Sequence, residues 1–415
     1  MKKLFGSWLF IIVMVSIDLY VFQTLRLVTE TFPGRYRLII HAIYWSFTVV
    51  AILLFLLIPY IGFENLPGFI RTQVFAIVVG FFIAKLIASL FFLVDDLRRI
   101  LQWGGVKALK LAGSEKLTDD QPITRSIFLS WLGIGIGGSL FGSLLYGFSN
   151  KYSYKVEKVK LHFKHLPEAF RGLKILQISD IHSGSLTDHA AVAKGVQKML
   201  DMEPDIIFFT GDLVNNVADE MEDLKKVFSR LKAPLGVYSI LGNHDYGDYV
   251  PWESQEAKAA NLEKLKAIHR EMGWRLLLNE HVPIERGGEQ IALIGVENWG
   301  AKARFSKYGD LSKAYEGSDK YPFKMLLSHD PSHWEAEVCK HYADIDLVFS
   351  GHTHGMQFGV EIPGFRWSPV QYVYRQWAGL YQKEHQKLYV NRGFGFLGYP
   401  GRVGILPEIT FMELT

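Results

Sequence analysis

Several short apolar runs in the C-terminal part of the chain end in side chains that bind metals. In LVFSGHTHGMQ, residues 347–357, His352 and His354 follow such a run directly. The other runs end in Asp180 and His182, in Asp212, in Asn243, His244 and Asp245, and in His329. Imidazole nitrogens combined with carboxylate and amide oxygens suit Mn, Fe and Zn. The spacing therefore predicts a metal site built from the ends of strands.

The whole set of ligands is more informative than any one pair. A single aspartate after a strand is most often a turn residue, but in layered α/β proteins the loops at strand ends converge on one crevice. One ion takes about four to six ligands, and two ions about 3.5–4 Å apart can share a carboxylate such as Asp212. The seven candidates are Asp180, His182, Asp212, Asn243, His329, His352 and His354. We therefore predict a centre for two divalent ions, with manganese favoured over iron or zinc.

The elements that carry these residues alternate from Tyr154 onward. Strand candidates are YKVEKVKLHF, LKILQIS, DIIFFT, GVYSIL, IALIGV, FKMLLS, DLVFS, KLYVNR and EITFMEL. Between them, residues 188–202, 220–231 and 253–272 carry apolar side chains at helical spacing. Strands separated by helices predict a layered α/β domain over residues 154–415. A glycine stands just before three of the ligands, at Gly211, Gly242 and Gly351. These glycines predict tight turns at positions where a larger side chain would crowd the metal ions.

Residues 1–150 differ in composition, because long apolar stretches dominate them. Crossing a bilayer takes about 20 mostly apolar residues. Four stretches qualify, at about 4–25, 38–63, 69–94 and 127–148. They predict an all-α transmembrane region of four helices. Asp18 and Lys85 interrupt it, and because a charge inside a bilayer needs a partner, they predict either a structural ion pair or part of a transport pathway.

The basic residues of the loops predict an orientation in the membrane. Lysine and arginine in short loops mark the cytoplasmic side. The two most basic loops carry Arg26, Arg35 and Arg37, and then Arg98, Arg99, Lys107, Lys110, Lys116 and Arg125. This pattern places residues 154–415 on the extracytoplasmic side of the cell inner membrane. Lys2, Lys3 and the lysines of 151–160 favour the opposite orientation.

Charge and aromatic content indicate the partners. The net charge of +3 offers no electrostatic basis for binding nucleic acid, and the single cysteine, Cys339, excludes an intrachain disulfide. The segment 299–321 is basic, aromatic and long for a connection, which predicts either a solvated surface loop or a cap that binds anionic lipid headgroups near the bilayer. The aromatic stretch GFRWSPVQYVYRQWAGLY also suits a membrane interface. Membrane lipids are therefore the expected partners.

Five motifs stand together in the order of a known family. They are Asp180-x-His182, Gly211-Asp212, Gly242-Asn243-His244-Asp245, His329 and Gly351-His352-Thr353-His354. With them the chain resembles the calcineurin-like metallophosphoesterases, in a bacterial membrane-anchored branch. The resemblance implies a four-layer α/β/β/α sandwich, in which helices flank two mixed sheets. It also implies hydrolysis of a phosphate ester by a hydroxide that bridges two metal ions.

The resemblance also implies a role for each residue of the motifs. The first ion would be held by Asp180, His182, Asp212 and His354, and the second by Asp212, Asn243, His329 and His352. His244 would face the phosphate, to stabilise charge or protonate the leaving oxygen. Asp245 would orient His244.

Two positions depart from patterns in the family. Val214 and Asn215 stand where purple acid phosphatases carry a tyrosine ligand, so that subgroup is not expected. Met356 replaces a common glycine, and its side chain is expected to pack beside the site and narrow it.

The expected function is hydrolysis of a phosphodiester or pyrophosphate bond in a lipid-linked or membrane-proximal substrate, because tethering raises the effective concentration of surface substrates. Some members of the family cleave UDP-2,3-diacylglucosamine in the cytoplasm, and a cytoplasmic orientation would favour such a nucleotide lipid. A nuclease and a non-catalytic binding or sensor protein are the remaining alternatives. The complete ligand set disfavours the sensor, and a membrane anchor without a basic groove disfavours the nuclease. Oligomeric state and the choice between monoester and diester stay open.

Overall fold

The computed structural model describes residues 2–62, 66–111, 123–302 and 305–415. The chain divides into two compact units, Met1–Tyr146 and Gly147–Thr415. The domain limits predicted from the sequence, 1–150 and 154–415, stay a prediction, because packing alone does not define an independently folding domain.

The first unit contains long apolar helices. They are α1 (Lys2–Val28), α2 (Gly34–Ile61), α3 (Phe75–Leu111), which a π-helical turn Ile70–Val74 precedes, and α4 (Ile127–Gly147). Within the described part of the chain, four helical segments are long and apolar enough to cross a membrane: Trp8–Val28, Gly34–Ile61, Ile70–Leu109 and Ile127–Asn150. Large apolar side chains such as Leu38 and Leu53 face outward, as a bilayer allows and water does not. The prediction of four transmembrane helices is thus confirmed. Some residues used in the predictions of spans and orientation lie outside the described part of the chain: Phe63, Lys116 and the side chains of Lys2, Lys3 and Lys110.

Asp18 and Lys85 form an ion pair inside the first unit. Both side chains are buried. The Thr48 hydroxyl donates to the second carboxylate oxygen of Asp18 at 2.5 Å, and the Lys85 ammonium lies 4.6 Å from the centre of the Phe81 ring. Since each charge has close partners, these contacts support a structural pair rather than a transport pathway.

The second unit is built on two six-stranded mixed sheets. Their strands are β1 (Lys155–Leu161), β2 (Lys174–Ile178), β3 (Ile206–Phe209), β4 (Val237–Ser239), β5 (Arg275–Leu276), β6 (Glu280–Arg286), β7 (Glu289–Gly295), β8 (Lys324–Leu327), β9 (Leu347–Ser350), β10 (Val360–Ile362), β11 (Phe365–Trp367), β12 (Gly379–Lys383), β13 (Gln386–Val390) and β14 (Glu408–Leu414). The first sheet has the order β1-β14-β2-β3-β4-β5 and the second β12-β13-β9-β8-β7-β6, while β10 and β11 form a separate hairpin. The helices are α5 (His189–Leu200), α6 (Lys225–Phe228), α7 (Gln255–Glu271), α8 (Leu311–Tyr315) and α9 (Cys339–His341).

Phe208 and Phe209, which are neighbours in β3, belong to different hydrophobic cores, because successive side chains of a strand point to opposite faces of the sheet. Phe208 packs between the sheets with Phe349 of β9. Phe209 packs on the opposite face with Val192 of α5 and Ile268 of α7. On the far side of the second sheet, a third core includes residues of α8. The layers are therefore α/β/β/α, and the predicted fold class is confirmed.

The carboxyl ends of strands from both sheets meet at one place. Strands β2, β3 and β4 run parallel in the first sheet, and β8 and β9 in the second. The buried amide of Gln177 joins them, since its Nε2 donates to Ser350 O at 2.9 Å and to Thr210 Oγ1 at 3.1 Å. The loops after these strands consequently open onto one region, which contains the predicted ligands.

Candidate metal centre

Six of the seven predicted ligands form two compact groups. Asp180, His182 and His354 make the first group, and Asp212, His329 and His352 make the second; within each group the potential ligand atoms lie within 4.8 Å of one another. The groups draw on loops from both sheets. Their assignment as ligands stays a prediction, while their convergence is observed.

The Asp212 carboxylate faces both groups with one oxygen. Its Oδ2 lies 3.6 Å from His182 Nε2 and 3.2 Å from His329 Nε2. Its Oδ1 accepts the backbone N–H of His244 at 2.8 Å, which fixes the rotation of the carboxylate. An oxygen held between two imidazoles of different groups has the position that a shared ligand needs.

In the first group, side chains converge in a way that favours a cation between them. His182 Nε2 and His354 Nε2 lie 3.0 Å apart, and His354 Nε2 is 3.2 Å from Asp180 Oδ1. Both carboxylate oxygens of Asp180 accept the backbone N–H of His352 at 3.0 Å. This bond ties the first group to the backbone of the second.

The second group is held by partners that were not predicted. His329 Nδ1 must donate to Thr210 O, 2.7 Å away, because a carbonyl only accepts. This leaves His329 Nε2 as the ligand atom, 3.2 Å from His352 Nδ1. The other ring nitrogen of His352 lies 2.8 Å from the Tyr374 hydroxyl. Such outer contacts orient metal-binding histidines.

Asn243, the seventh predicted ligand, presents an amide oxygen. Its Nδ2 donates to the Tyr249 hydroxyl at 2.9 Å, which identifies the oxygen as the opposite end. Asn243 Oδ1 is buried and has no hydrogen-bond partner among the residues that the structure describes. A buried acceptor without a partner is costly, and a divalent ion would satisfy it.

The electrostatics of the site fit divalent ions. Burial lowers the pKa of His182 to about 3, so the imidazole is neutral and its lone pair can bind a metal. Burial favours the neutral form of Asp212, but His329 outweighs it and holds the pKa of Asp212 below its usual range. Burial likewise opposes a charge on His329, but Asp212 raises the pKa of His329 to about 10. A metal ion at His329 Nε2 would replace that proton, since the two compete for one nitrogen.

The ligand residues have an uncommon backbone conformation. The angle φ is 51° at Asp180, 48° at His182, 61° at Asp212, 73° at His352 and 51° at His354. Positive φ in residues other than glycine is rare and concentrates at functional sites. The structure thus holds five of the seven predicted ligands in strained turns.

The glycines before the ligands allow the close approach that the sequence predicts. A Cβ at Gly351 would lie 2.2 Å from Asp180 Oδ2, and one at Gly242 would lie 2.3 Å from Asp212 Oδ1. Either methyl group would displace a carboxylate of the centre.

Asp245 acts on the backbone rather than on the His244 ring. Its carboxylate accepts the N–H groups of Asp212 (2.9 Å), Leu213 (2.8 Å) and Gly242 (2.8 Å). The His244 ring is held instead by Asn215, whose carbonyl accepts from Nδ1 at 2.7 Å. The contacts observed for Asp245 are with the turns that carry Asp212 and Asn243, and its expected role in orienting His244 stays a prediction. These hydrogen bonds hold the Asp245 carboxylate against the backbone of both turns.

Met356 does not pack into the site. Its side chain is 56% exposed, and its φ of 55° continues the left-handed turn of His354. The expectation that Met356 narrows the site by packing beside it is wrong, because this turn directs the side chain to the surface.

The basic and aromatic loop predicted at 299–321 does reach the centre. The Phe305 ring lies edge-on to His352, with centroids 4.8 Å apart. The Lys302 ammonium is 5.6 Å from the centre of the Tyr374 ring, and the Lys307 ammonium is 4.2 Å from that of Trp299. Arg304, a further basic residue of this loop, lies outside the described residues.

Comparison with known proteins identifies two regions of similarity. Residues 2–151 match the family described as "Probable Calcineurin-like phosphoesterase, transmembrane domain", and residues 173–356 match "Calcineurin-like phosphoesterase". The second match contains all nine predicted site residues.

Curated relatives share the same region. The chain is 31% identical over 267 residues to "Transmembrane protein with metallophosphoesterase domain" of Danio rerio, with 63% of this chain and 57% of that protein covered. It is 29% identical to "UDP-2,3-diacylglucosamine pyrophosphatase LpxG" of Chlamydia trachomatis, with 56% and 81% covered. It is 30% identical to an "Uncharacterized metallophosphoesterase" of Aquifex aeolicus, with 51% and 73% covered. The chain thus spans little more than half the length of the vertebrate relative.

The two ligand groups predict how many ions the protein binds. The full chain purified with Mn²⁺ should hold about two ions per molecule, measured by inductively coupled plasma mass spectrometry. His354→Ala and His352→Ala, one from each group, should each lower the content towards about one ion. His189→Ala, on the exposed start of α5, should retain both. Two ions in both site variants would contradict the assignment.

Proposed function

Because the chain belongs to the calcineurin-like metallophosphoesterase family, we propose that it is a metal-dependent hydrolase of phosphodiester or pyrophosphate bonds in lipid-linked or membrane-proximal substrates. The observation that carries this proposal is the position of Asp212 Oδ2, which faces His182 of one ligand group and His329 of the other. Two ions that share a carboxylate suit in-line displacement at phosphorus.

The residues of the chain would hold the ions in the predicted division. Asp180, His182 and His354 would bind one ion, Asn243, His329 and His352 the other, and Asp212 both. Mixed oxygen and nitrogen ligands suit manganese, iron or zinc, and we favour manganese. When bound, the ions would supply Lewis acidity and lower the pKa of a coordinated water.

His244 is the residue best placed to handle a proton on the substrate. Its Nδ1 is committed to the Asn215 carbonyl, so Nε2 is the nitrogen that can exchange a proton. Its ring lies 5.0 Å from that of His182 and 4.6 Å from that of Tyr249, at the edge of the centre. The side chain is only partly buried, which leaves it accessible to a substrate. We assign it to protonation of the leaving oxygen.

The lipid-linked substrate is supported by the membrane helices and by the surface around the centre. Four helices in the described part of the chain are long and apolar enough to span a membrane, and a tethered enzyme meets bilayer substrates at high effective concentration. Phe305 and Tyr374 stand beside His352, and the Lys302 ammonium lies over the Tyr374 ring. Cationic and aromatic side chains in this position suit an anionic headgroup. We expect no nucleic-acid substrate.

The compartment distinguishes two candidate substrates. The basic loops favour an extracytoplasmic catalytic unit on the inner membrane, and hence a phospholipid or polyprenyl phosphate. Similarity to UDP-2,3-diacylglucosamine pyrophosphatase favours the second candidate, a nucleotide lipid of the cytoplasm.

A topology reporter separates these two candidates. Alkaline phosphatase fused after Thr415 should be active and green fluorescent protein in the same place dark, because the loop charges place this end outside the cytoplasm. The same reporters fused after Val28 give the control, since that loop should lie on the opposite side. A fluorescent and phosphatase-inactive fusion after Thr415 would overturn the extracytoplasmic assignment and select the nucleotide lipid.

Hydrolysis of a simple diester tests the proposed reaction. The full chain should hydrolyse bis-p-nitrophenyl phosphate with Mn²⁺, and a chelator should abolish this activity. Asp212→Asn should lower kcat at least about 100-fold, because an amide carries no charge to share between two ions. Asp201→Asn, at the exposed end of α5, is the matched control and should keep full activity. An Asp212→Asn protein with unchanged activity would disprove the proposal.

The role of His244 can be tested with leaving groups of different basicity. An alkoxide needs a proton as it leaves, whereas p-nitrophenolate does not. His244→Ala should therefore lower kcat on an alkyl phosphodiester by about 10²–10⁴-fold and on bis-p-nitrophenyl phosphate by clearly less, with unchanged metal content. Equal losses on both substrates would show that His244 is not the acid.

A further inference from the structure

The hairpin of β10 and β11 has its charged side chains towards the protein and its apolar side chains outward. Val360 pairs with Trp367 and Ile362 pairs with Phe365, so these four residues share one face. The remaining pair, Glu361 and Arg366, lies on the other face. This arrangement is the reverse of an ordinary surface hairpin.

Contacts of the charged pair fix this orientation. Glu361 forms an ion pair with Arg392, which is itself buried. Arg366 lies over the Trp377 ring, 5.0 Å from its centre. Both charges are thus used inside the unit, and the apolar face is left exposed: Ile362 is 58% and Phe365 54% exposed.

The apolar face continues into the next turn. Trp367 Nε1 donates to the Tyr372 hydroxyl at 3.3 Å, and Tyr372 and Val373 are 77% and 51% exposed. We call Val360, Ile362, Phe365, Trp367, Tyr372 and Val373 the outer patch. Clustered exposed apolar side chains mark an interaction site.

Hydrogen bonds within the second unit, Gly147–Thr415, connect the base of the hairpin to Gly147 and Asn150, at the end of the fourth candidate span. The span ends at Asn150. Arg402 N donates to Gly147 O at 2.9 Å, and the Asn150 amide donates to Arg402 O at 3.3 Å. One residue on, Val403 O accepts from Gly359 N at 2.9 Å, and Gly359 directly precedes β10. The hairpin therefore starts close to the end of the fourth candidate span.

We propose that the outer patch docks into the interfacial layer of the bilayer that holds the four helices. Tryptophan and tyrosine with apolar neighbours are the side chains that settle at this depth. Arg375, whose side chain is 82% exposed just after the Tyr372 turn, can meet anionic phosphates there. Because Ser368, directly after β11, donates to Gly355 O beside His354 at 2.9 Å, docking would bring the metal centre near the headgroups. The inference goes beyond the proposed reaction and holds for any phosphate substrate.

Depth-dependent quenching tests the docking directly. A nitrobenzoxadiazole label on the cysteine of Phe365→Cys, in full-length Cys339→Ala protein, is reconstituted into phosphatidylethanolamine–phosphatidylglycerol liposomes. Nitroxide-bearing lipid should quench this label at least about twofold more than a label at Glu263→Cys, which is exposed on α7. Equal quenching at both sites would overturn the proposal, as would a label shielded from lipid in proportion to protein concentration, which indicates a second copy of the chain.

A pair of variants at Ile362 separates docking from misfolding. Ile362→Asp should abolish the extra quenching at position 365, while Ile362→Leu should keep it, because only the carboxylate is costly to insert. Both should hydrolyse soluble bis-p-nitrophenyl phosphate equally, which shows that each is folded. Persistent quenching in Ile362→Asp would contradict docking. If the unsubstituted protein hydrolyses nothing, the proposed reaction fails, but the quenching result still decides the docking.

Discussion

The carboxylate of Asp212 is the constraint on which the arrangement of the second unit depends. One oxygen accepts the backbone N–H of His244, and the other stands between His182 and His329. For this, the chain must turn sharply at the end of β3, with Asp212 at a φ of 61°. Such a turn persists only when its surroundings hold it. The buried carboxylate of Asp245 does so by accepting backbone N–H groups from both adjoining loops.

The architecture of two sheets follows from the need to bring candidate ligands from several loops to the same place as Asp212. A single sheet would align only the loops that follow β2, β3 and β4. The second sheet brings the loops after β8 and β9 to the same place, and Gln177 and His329 fasten the two sheets together through Ser350 O and Thr210 O. Because large apolar side chains fill the cores between and outside the sheets, the polar ends of the strands form a packed frame for the ligands.

The sequence was sufficient to predict a layered α/β unit and the membrane helices, because each has a local signal, while the order of the four layers came from the resemblance to the family. It also proposed the candidate ligands, six of which the structure brings together. Apolar runs identify strands, long apolar stretches identify spans, and the ligand types follow the strands directly. The contacts that orient the ligands have no such signal. Thr210 and Asn215 act through backbone carbonyls, and Tyr374 comes from a distant turn. The hydrogen bonds of Asp245 to backbone N–H groups could not be predicted for the same reason, since in sequence such a carboxylate looks like one that binds a histidine. The replacement of a common glycine by Met356 did not predict where its side chain points, because the left-handed backbone at this residue directs the side chain to the surface.

The central claim is that two metal ions share the Asp212 carboxylate, and electron paramagnetic resonance of the Mn²⁺-loaded full chain tests it most directly. Two ions bridged by one carboxylate at about 3.5–4 Å should give the broad spectrum of an exchange-coupled pair. In Asp212→Asn this signal should collapse to the six-line spectrum of isolated Mn²⁺. An isolated six-line spectrum in the unsubstituted protein, at a metal content of about two ions per chain, would contradict the account.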